Sequence, residues 1–167
     1  MEQAGKTRNG AQEARHSFVC LCFQNVLRRW AGRSSKITGT VGSLVKGASD
    51  AISCVKSGDL DGLGQVVNQY WQLKIAMAGV DSGVEPNFVH SLLNLLFSKG
   101  AIVGGTLCGA GGGGFLAMLA LKGKISRDIE TIVENCVLDG DKLGLESFSW
   151  HSCTVSEEDL VIDVMAP

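Results

Sequence analysis

A run of five glycines in six residues, set between two apolar segments, limits what this chain can fold into. The run is Gly109, Ala110, Gly111, Gly112, Gly113 and Gly114, between segments 101–108 and 115–121. A glycine in a regular element costs roughly 0.5–1 kcal/mol relative to alanine, and a tight hairpin needs only one or two residues at positive φ. We therefore predict a strand–loop–strand unit whose main chain is approached by a bulky or charged group. Successive N–H groups in such a loop can bind phosphate. The alternative is a flexible turn, or a place where a neighbouring element packs tightly.

The spacing of two glycines suggests a Walker A loop, but the following residues exclude it. Gly109 and Gly114 have the required separation. The motif then needs a lysine for the β- and γ-phosphates and a Ser or Thr for magnesium. Phe115 and Leu116 occupy those positions.

The dinucleotide fingerprint G-x-G-x-x-G is satisfied by Gly109, Gly111 and Gly114. That fingerprint follows the first strand of a βαβ unit and begins a helix. Here three predicted helices come before the glycines, and the apolar run after them ends at Leu121. Dinucleotide binding is kept as an alternative.

Composition indicates one compact domain and excludes two classes of partner. The chain has 167 residues, 45% of them hydrophobic and 19% charged, with a net charge of −2. Nucleic-acid binding needs clustered positive charge, and we interpret the basic residues 28–36 as a solvated helix end. No apolar run approaches the ~20 residues of a membrane span, and residues 1–15 are too polar for a signal peptide. The predicted location is the cytoplasm.

Neither the cysteines nor the histidines have the spacing of a metal site. Cys20 and Cys22 form C-x-C without a second close pair, whereas a structural zinc site needs four ligands. We expect reduced thiols. His16, His90 and His151 are scattered, which is typical of ordinary surface or core histidines.

Apolar residues recur at helical spacing in several stretches before and after the glycine run. Asp59 is predicted to cap the second of the main helices, and Glu85-Pro86 to begin the third, with the proline at the first helical position. An earlier helix over 13–30 would place Phe18, Leu21, Val26, Leu27 and Trp30 inward. The main helical stretches are 37–55, 63–77, 88–96 and 125–137.

Strand-like segments are 101–108, 115–121, 145–152 and 160–165. Helices and strands in this order predict an α+β fold, with helices packed on one face of an antiparallel sheet of about four strands.

The segment Thr106–Phe115 resembles the third conserved motif of the GHMP kinases, and its G-A-G-G-G-G-F is similar to the version in fucokinases. Other segments resemble fucokinases in the same order along the chain. They are Gly5-Lys6-Thr7-Arg8, Gln24–Trp30, Gly58-Asp59-Leu60, Tyr70–Lys74 with Met77-Ala78, and Glu85-Pro86.

The resemblance implies a GHMP kinase C-terminal domain over residues 24–167, closest to that of L-fucokinase. Residues 1–23 match poorly, and 9–23 differ in character from the family, as an insertion would. The family's nucleotide-binding N-terminal half, with its phosphate loop and catalytic aspartate, has no counterpart in this sequence. We therefore assign no catalytic residue here, and we expect the chain to be inactive without that half.

The activity implied is phosphoryl transfer from ATP to the anomeric hydroxyl of L-fucose or a related sugar, which depends mainly on positioning and charge stabilisation. ATP and Mg2+ would serve the full-length enzyme, and neither would bind this chain alone tightly. Two alternatives remain: a non-catalytic remnant that associates through an exposed sheet edge, and a dinucleotide-binding fragment.

The resemblance places the loop 109–114 beside the transferring phosphoryl group. Bulk at Gly111 or Gly112 would then reduce activity more than stability. Trp71 and Lys74 are one helical turn apart and could line the sugar pocket; the alternative is a core tryptophan with a solvated lysine. The acids Asp81, Glu85 and Asp139 have no partner that the sequence identifies.

Overall fold

The computed structural model describes residues 24, 26–79, 82–109, 111–138 and 149–151. Residues 26–31 are helical. The elements that follow are α1 (Ser35–Ser57), α2 (Leu60–Ala78), α3 (Asn87–Ser98), β1 (Ile102–Leu107), β2 (Leu116–Ala120) and α4 (Ser126–Leu138). The predicted α+β class is confirmed.

Local capping residues determine where the helices begin and end. The Asp59 carboxylate accepts a hydrogen bond from the Gly62 N–H at 2.9 Å, as predicted for the start of α2. Gly58 ends α1 in the left-handed region, at φ 68°. Pro86 is the N-cap of α3 at φ −62°. It therefore lies one residue before Asn87, the first helical residue, whereas the sequence predicts the proline at that first position.

The described strands form one antiparallel pair. Gly105 lies opposite Met118 and Leu107 opposite Leu116, with a register shift between Ile102 and Gly104. The predicted strand 160–165 lies outside the described residues. Of 145–152 only 149–151 are described, and these are not in a strand. A sheet of about four strands therefore stays a prediction.

The hydrophobic core lies where α2, α3, α4 and the two strands meet. Its most deeply buried side chains include Trp71, Val89, Leu96 and Val133. Val89, Leu92, Leu93 and Leu96 form the buried face of α3. None of the helices in the described ranges has both the length and the apolar character needed to cross a membrane.

Helix α2 lies against β1 at a glycine-to-glycine contact. A Cβ on Gly64 would lie 2.6 Å from the Val103 carbonyl oxygen, and one on Gly104 would lie 2.9 Å from the Gly64 Cα. The Asn68 amide donates to the Val103 carbonyl at 3.0 Å and accepts from the Gly105 N–H at 3.2 Å. Side-chain groups of α2 therefore occupy main-chain positions of β1 that an added strand would use.

Two predicted inward-facing stripes are wrong in part. Leu27 and Trp30 are 48% and 50% exposed, because the described core does not cover the helical stretch 26–31. The rest of that predicted helix, 13–23, lies outside the described residues. Ile125 is also exposed. It precedes α4, and its N–H donates to the Asp128 carboxylate at 2.9 Å, so it belongs to the helix start rather than to the buried stripe.

Candidate functional site

The glycine loop, residues 109–114, connects β1 to β2. A hydrogen bond of 2.8 Å from the Cys108 N–H to the Phe115 carbonyl closes the hairpin at its base. The glycines have positive φ throughout: 88° at Gly109, then 96°, 74°, 141° and 100° from Gly111 to Gly114. Residues with a side chain rarely adopt such angles. Ala110 lies outside the described residues.

This position in the fold differs from that of a dinucleotide fingerprint. Gly109, Gly111 and Gly114 join two antiparallel strands, whereas the fingerprint requires a parallel strand followed by a helix. The loop is also accessible, since Gly109 and Gly114 are exposed and 111–113 are half-buried. Within the described part of the chain, the N–H groups of Gly113 and Gly114 donate to no protein acceptor.

One side of the loop packs against the segment that leads into α3. The Gly112 N–H donates to the Val84 carbonyl at 2.9 Å. A Cβ on Gly111 would lie 2.8 Å from that oxygen and 3.1 Å from the Val84 Cγ2. Bulk at Gly111 is therefore expected to reduce stability as well as any activity of the loop. At this position, tight packing against a neighbour already requires glycine.

Lys74 of α2 binds the first residue of the loop. Its ammonium donates to the carbonyl oxygen of Gly109, and to that of Leu107 at 3.4 Å. The Nζ atom also lies 5.2 Å from the ring centroid of Trp71 and 5.7 Å from that of Tyr70, within cation–π range. The Lys74 ammonium is therefore bonded within the protein and not to solvent alone.

Burial lowers the pKa of Lys74, because desolvation disfavours the charged ammonium, and the charge of the nearby Cys108 opposes part of that shift. Hydrogen bonds to two carbonyls stabilise the ammonium in this partly buried position. The result is a positive group held against the start of an accessible loop.

Trp71 is a core residue, as the alternative interpretation had it, and it is only 2% exposed. Its indole N–H donates to the Glu85 carboxylate at 2.6 Å. The polar atom of this tryptophan is therefore already bonded within the protein. We no longer place Trp71 in the wall of a sugar pocket.

Glu85, which the sequence offers only as an acid without a partner, has two partners in the structure. One carboxylate oxygen accepts from Trp71, and the other lies 3.1 Å from the His90 Nδ1. Glu85 and Trp71 are 14 positions apart on separate elements, so no local spacing reveals the contact. Asp81 and Asp139, the other acids considered, lie outside the described residues.

A described part of the C-terminal segment contacts the far end of the loop. The His151 ring packs edge-on against Phe115 at 5.4 Å between centroids. The Ser149 hydroxyl lies 2.8 Å from the His151 Nε2. No sequence pattern associated His151 with the glycine loop.

The groups around the loop suit an anion better than a metal. They are main-chain N–H groups and the Lys74 ammonium, which are donors, whereas Mg2+ requires oxygen ligands. The described residues contain no cluster of three or more His, Cys, Asp or Glu that could hold a metal. A phosphoryl group fits these donors.

The chain matches no protein-family model, no curated protein and no solved structure. The class is therefore defined by fold and site alone. It is an α+β domain with an accessible glycine-rich connection between antiparallel strands.

Proposed function

We propose that this chain is the C-terminal portion of an ATP-dependent sugar 1-kinase of the GHMP type, similar to L-fucokinase. In this proposal the glycine loop lies against the phosphoryl oxygens of ATP at a cleft shared with an N-terminal half. The observation that carries the proposal is the positive φ at every described residue of the loop, 109 and 111–114, in a connection that solvent can reach. The complete sheet would have about four strands.

Two kinds of donor would contact the phosphoryl group. One kind is the main-chain N–H groups of Gly113 and Gly114, which donate to no acceptor among the described residues. The Lys74 ammonium has three N–H donors and directs two of them at carbonyl oxygens. The third can reach an anionic oxygen, and a charge in a partly desolvated site interacts more strongly than it would in water.

The chemistry proposed requires positioning and charge neutralisation on this side of the cleft. The N-terminal half would supply the main nucleotide loop and the base, and Mg2+ would bridge the phosphates of ATP. L-Fucose or a related sugar would be the acceptor.

The test is reconstitution of the enzyme from two parts. The 167-residue chain is mixed with the N-terminal half of a fucokinase, and sugar 1-phosphate is followed by phosphorus NMR with ATP and L-fucose. We expect product only when both parts are present. Lys74→Met should lower turnover by about 10-fold or more, in line with the loss of one transition-state donor. Lys46→Met is the matched control, because Lys46 is exposed and pairs with Asp50 on α1.

The other outcomes of these experiments distinguish the kinase from its two alternatives. Absence of product when both parts are folded and associated would overturn the kinase assignment. Calorimetry of the chain alone separates the alternatives. Micromolar affinity for NAD would favour the dinucleotide-binding fragment, and binding of L-fucose without transfer would favour the non-catalytic remnant.

A further inference from the structure

We propose that Glu85 is a positioning residue that holds the glycine loop in place through the neighbouring Val84 carbonyl. This inference rests on the proposed function, because it describes how the same loop is held ready for a phosphoryl group. Glu85 directly follows Val84, the residue against which the loop packs. The Glu85 side chain is also hydrogen-bonded to Trp71 in the core.

The first link joins Glu85 to the core. Its carboxylate accepts from the Trp71 indole N–H at 2.6 Å, and Trp71 is almost wholly buried. The Glu85 side chain is only 16% exposed. A hydrogen bond to an ionised acceptor is stronger than a neutral one, so the carboxylate is held firmly in one place.

The second link is the backbone between Glu85 and Val84. Val84 is 4% exposed and belongs to the core cluster. On the other side of Glu85, Pro86 caps α3 with its φ fixed near −62°. With its side chain bonded and both neighbours held, residue 85 cannot move without moving the Val84 carbonyl.

The third link joins Val84 to the loop. The Val84 carbonyl accepts the Gly112 N–H at 2.9 Å, and Gly111 approaches it too closely to carry a side chain. Gly113 and Gly114, whose N–H groups the proposed function directs at the phosphoryl group, follow directly. The position of the Val84 carbonyl therefore determines where those donors lie.

His90 is the second partner of Glu85, and its contribution differs from that of Trp71. Its Nδ1 lies 3.1 Å from the free carboxylate oxygen, and its side chain is 63% exposed. A contact made by a solvent-exposed side chain contributes little to stability. The proposal therefore assigns the positioning role to the bond with Trp71.

The experiment measures amide hydrogen exchange of Gly112 by NMR in the whole 167-residue chain. Glu85→Gln keeps the length and an acceptor oxygen, whereas Glu85→Asp keeps the charge but is one methylene shorter. We expect exchange at Gly112 to stay within about threefold of wild type in Glu85→Gln. It should rise about tenfold in Glu85→Asp and Glu85→Ala, the factor that corresponds to loss of one hydrogen bond. The Gly105 N–H, bonded to Asn68, is the internal control and should not change.

His90→Ala is the matched variant, and it should leave Gly112 exchange unchanged. If Glu85→Ala does not fold, the pair Glu85→Gln and Glu85→Asp decides. Unchanged Gly112 exchange in Glu85→Asp, or an equal rise at Gly105 and Gly112, would overturn the proposal. Because the readout needs no ATP, a failed reconstitution would count against the kinase assignment and not against the positioning role.

Discussion

The contact between Gly111 and Val84 allows a quantitative test of the loop geometry with two alanine substitutions. Gly111 and Gly113 both have positive φ, 96° and 141°. A Cβ at Gly111 would collide with the Val84 carbonyl, whereas a Cβ at Gly113 would have no atom within 4 Å. Gly113→Ala therefore reports backbone strain alone, and Gly111→Ala reports strain together with the collision.

The expected loss of stability follows from these two terms. Placing a side chain in a sparsely populated backbone region costs about 1–3 kcal/mol. Forcing extra volume into a packed contact costs about 1–3 kcal/mol more. Gly113→Ala should lower the free energy of unfolding by about 1–3 kcal/mol and Gly111→Ala by about 2–6 kcal/mol. The difference, about 2 kcal/mol, corresponds to about 4–8 °C in Tm for a chain of this length.

The assay is urea unfolding and thermal melting of wild type and both variants under one buffer condition. The slope of the free energy against urea should be the same in all three, so that only stability has changed. Equal stability losses in the two variants would refute the reasoning, because they would show that Val84 does not limit the space at Gly111.

Other parts of the molecule give further expected results. Gly64→Ala should destabilise the chain by up to about 2 kcal/mol, because overpacking against β1 exceeds the ~1 kcal/mol gain in helix propensity. A Cβ at Gly39 would have no atom within 4 Å, so Gly39→Ala should stabilise the chain by about 0.5–1 kcal/mol. In urea unfolding, the free energy of unfolding should fall in Gly64→Ala and rise in Gly39→Ala. A change in the same direction in both variants would contradict the packing argument. Asp59→Ala should cost about 0.5–2 kcal/mol through loss of the cap, and an unchanged urea midpoint would count against it. The pKa of Lys74 is lower in the folded protein than in the unfolded chain, so folding releases a proton at pH values between the two. The free energy of unfolding of wild type, compared with that of Lys74→Met, should therefore rise as pH increases across that range. NMR titration of the Lys74 Cε should show a pKa below that of a free lysine, and the pKa should be lower still in Cys108→Ser. A pKa at or above that of a free lysine would contradict the desolvation of Lys74.

Some residues of the candidate site can be predicted from the sequence, and others cannot. The glycine loop was found from composition and spacing, because so many glycines between apolar segments have few explanations. Lys74 was named as a candidate, but its partners were not. The contact with Gly109 joins residues 35 positions apart, and only the packing of α2 along β1 brings them together. Glu85 could not be distinguished from the other acids, because its bond to Trp71 depends on tertiary packing.

Local patterns in the sequence are sufficient to predict the helices from α1 to α4, the two strands and the loop between them. Periodicity and capping are local properties, so Asp59 and Gly58 mark boundaries without reference to the rest of the chain. The tertiary structure alone decided which glycines of the loop are required by a neighbour. It also decided which charges are bonded, and that Leu27 and Trp30 remain exposed. These features depend on distances between residues far apart in the chain, and those distances are set by how α2 and the segment before α3 pack around β1.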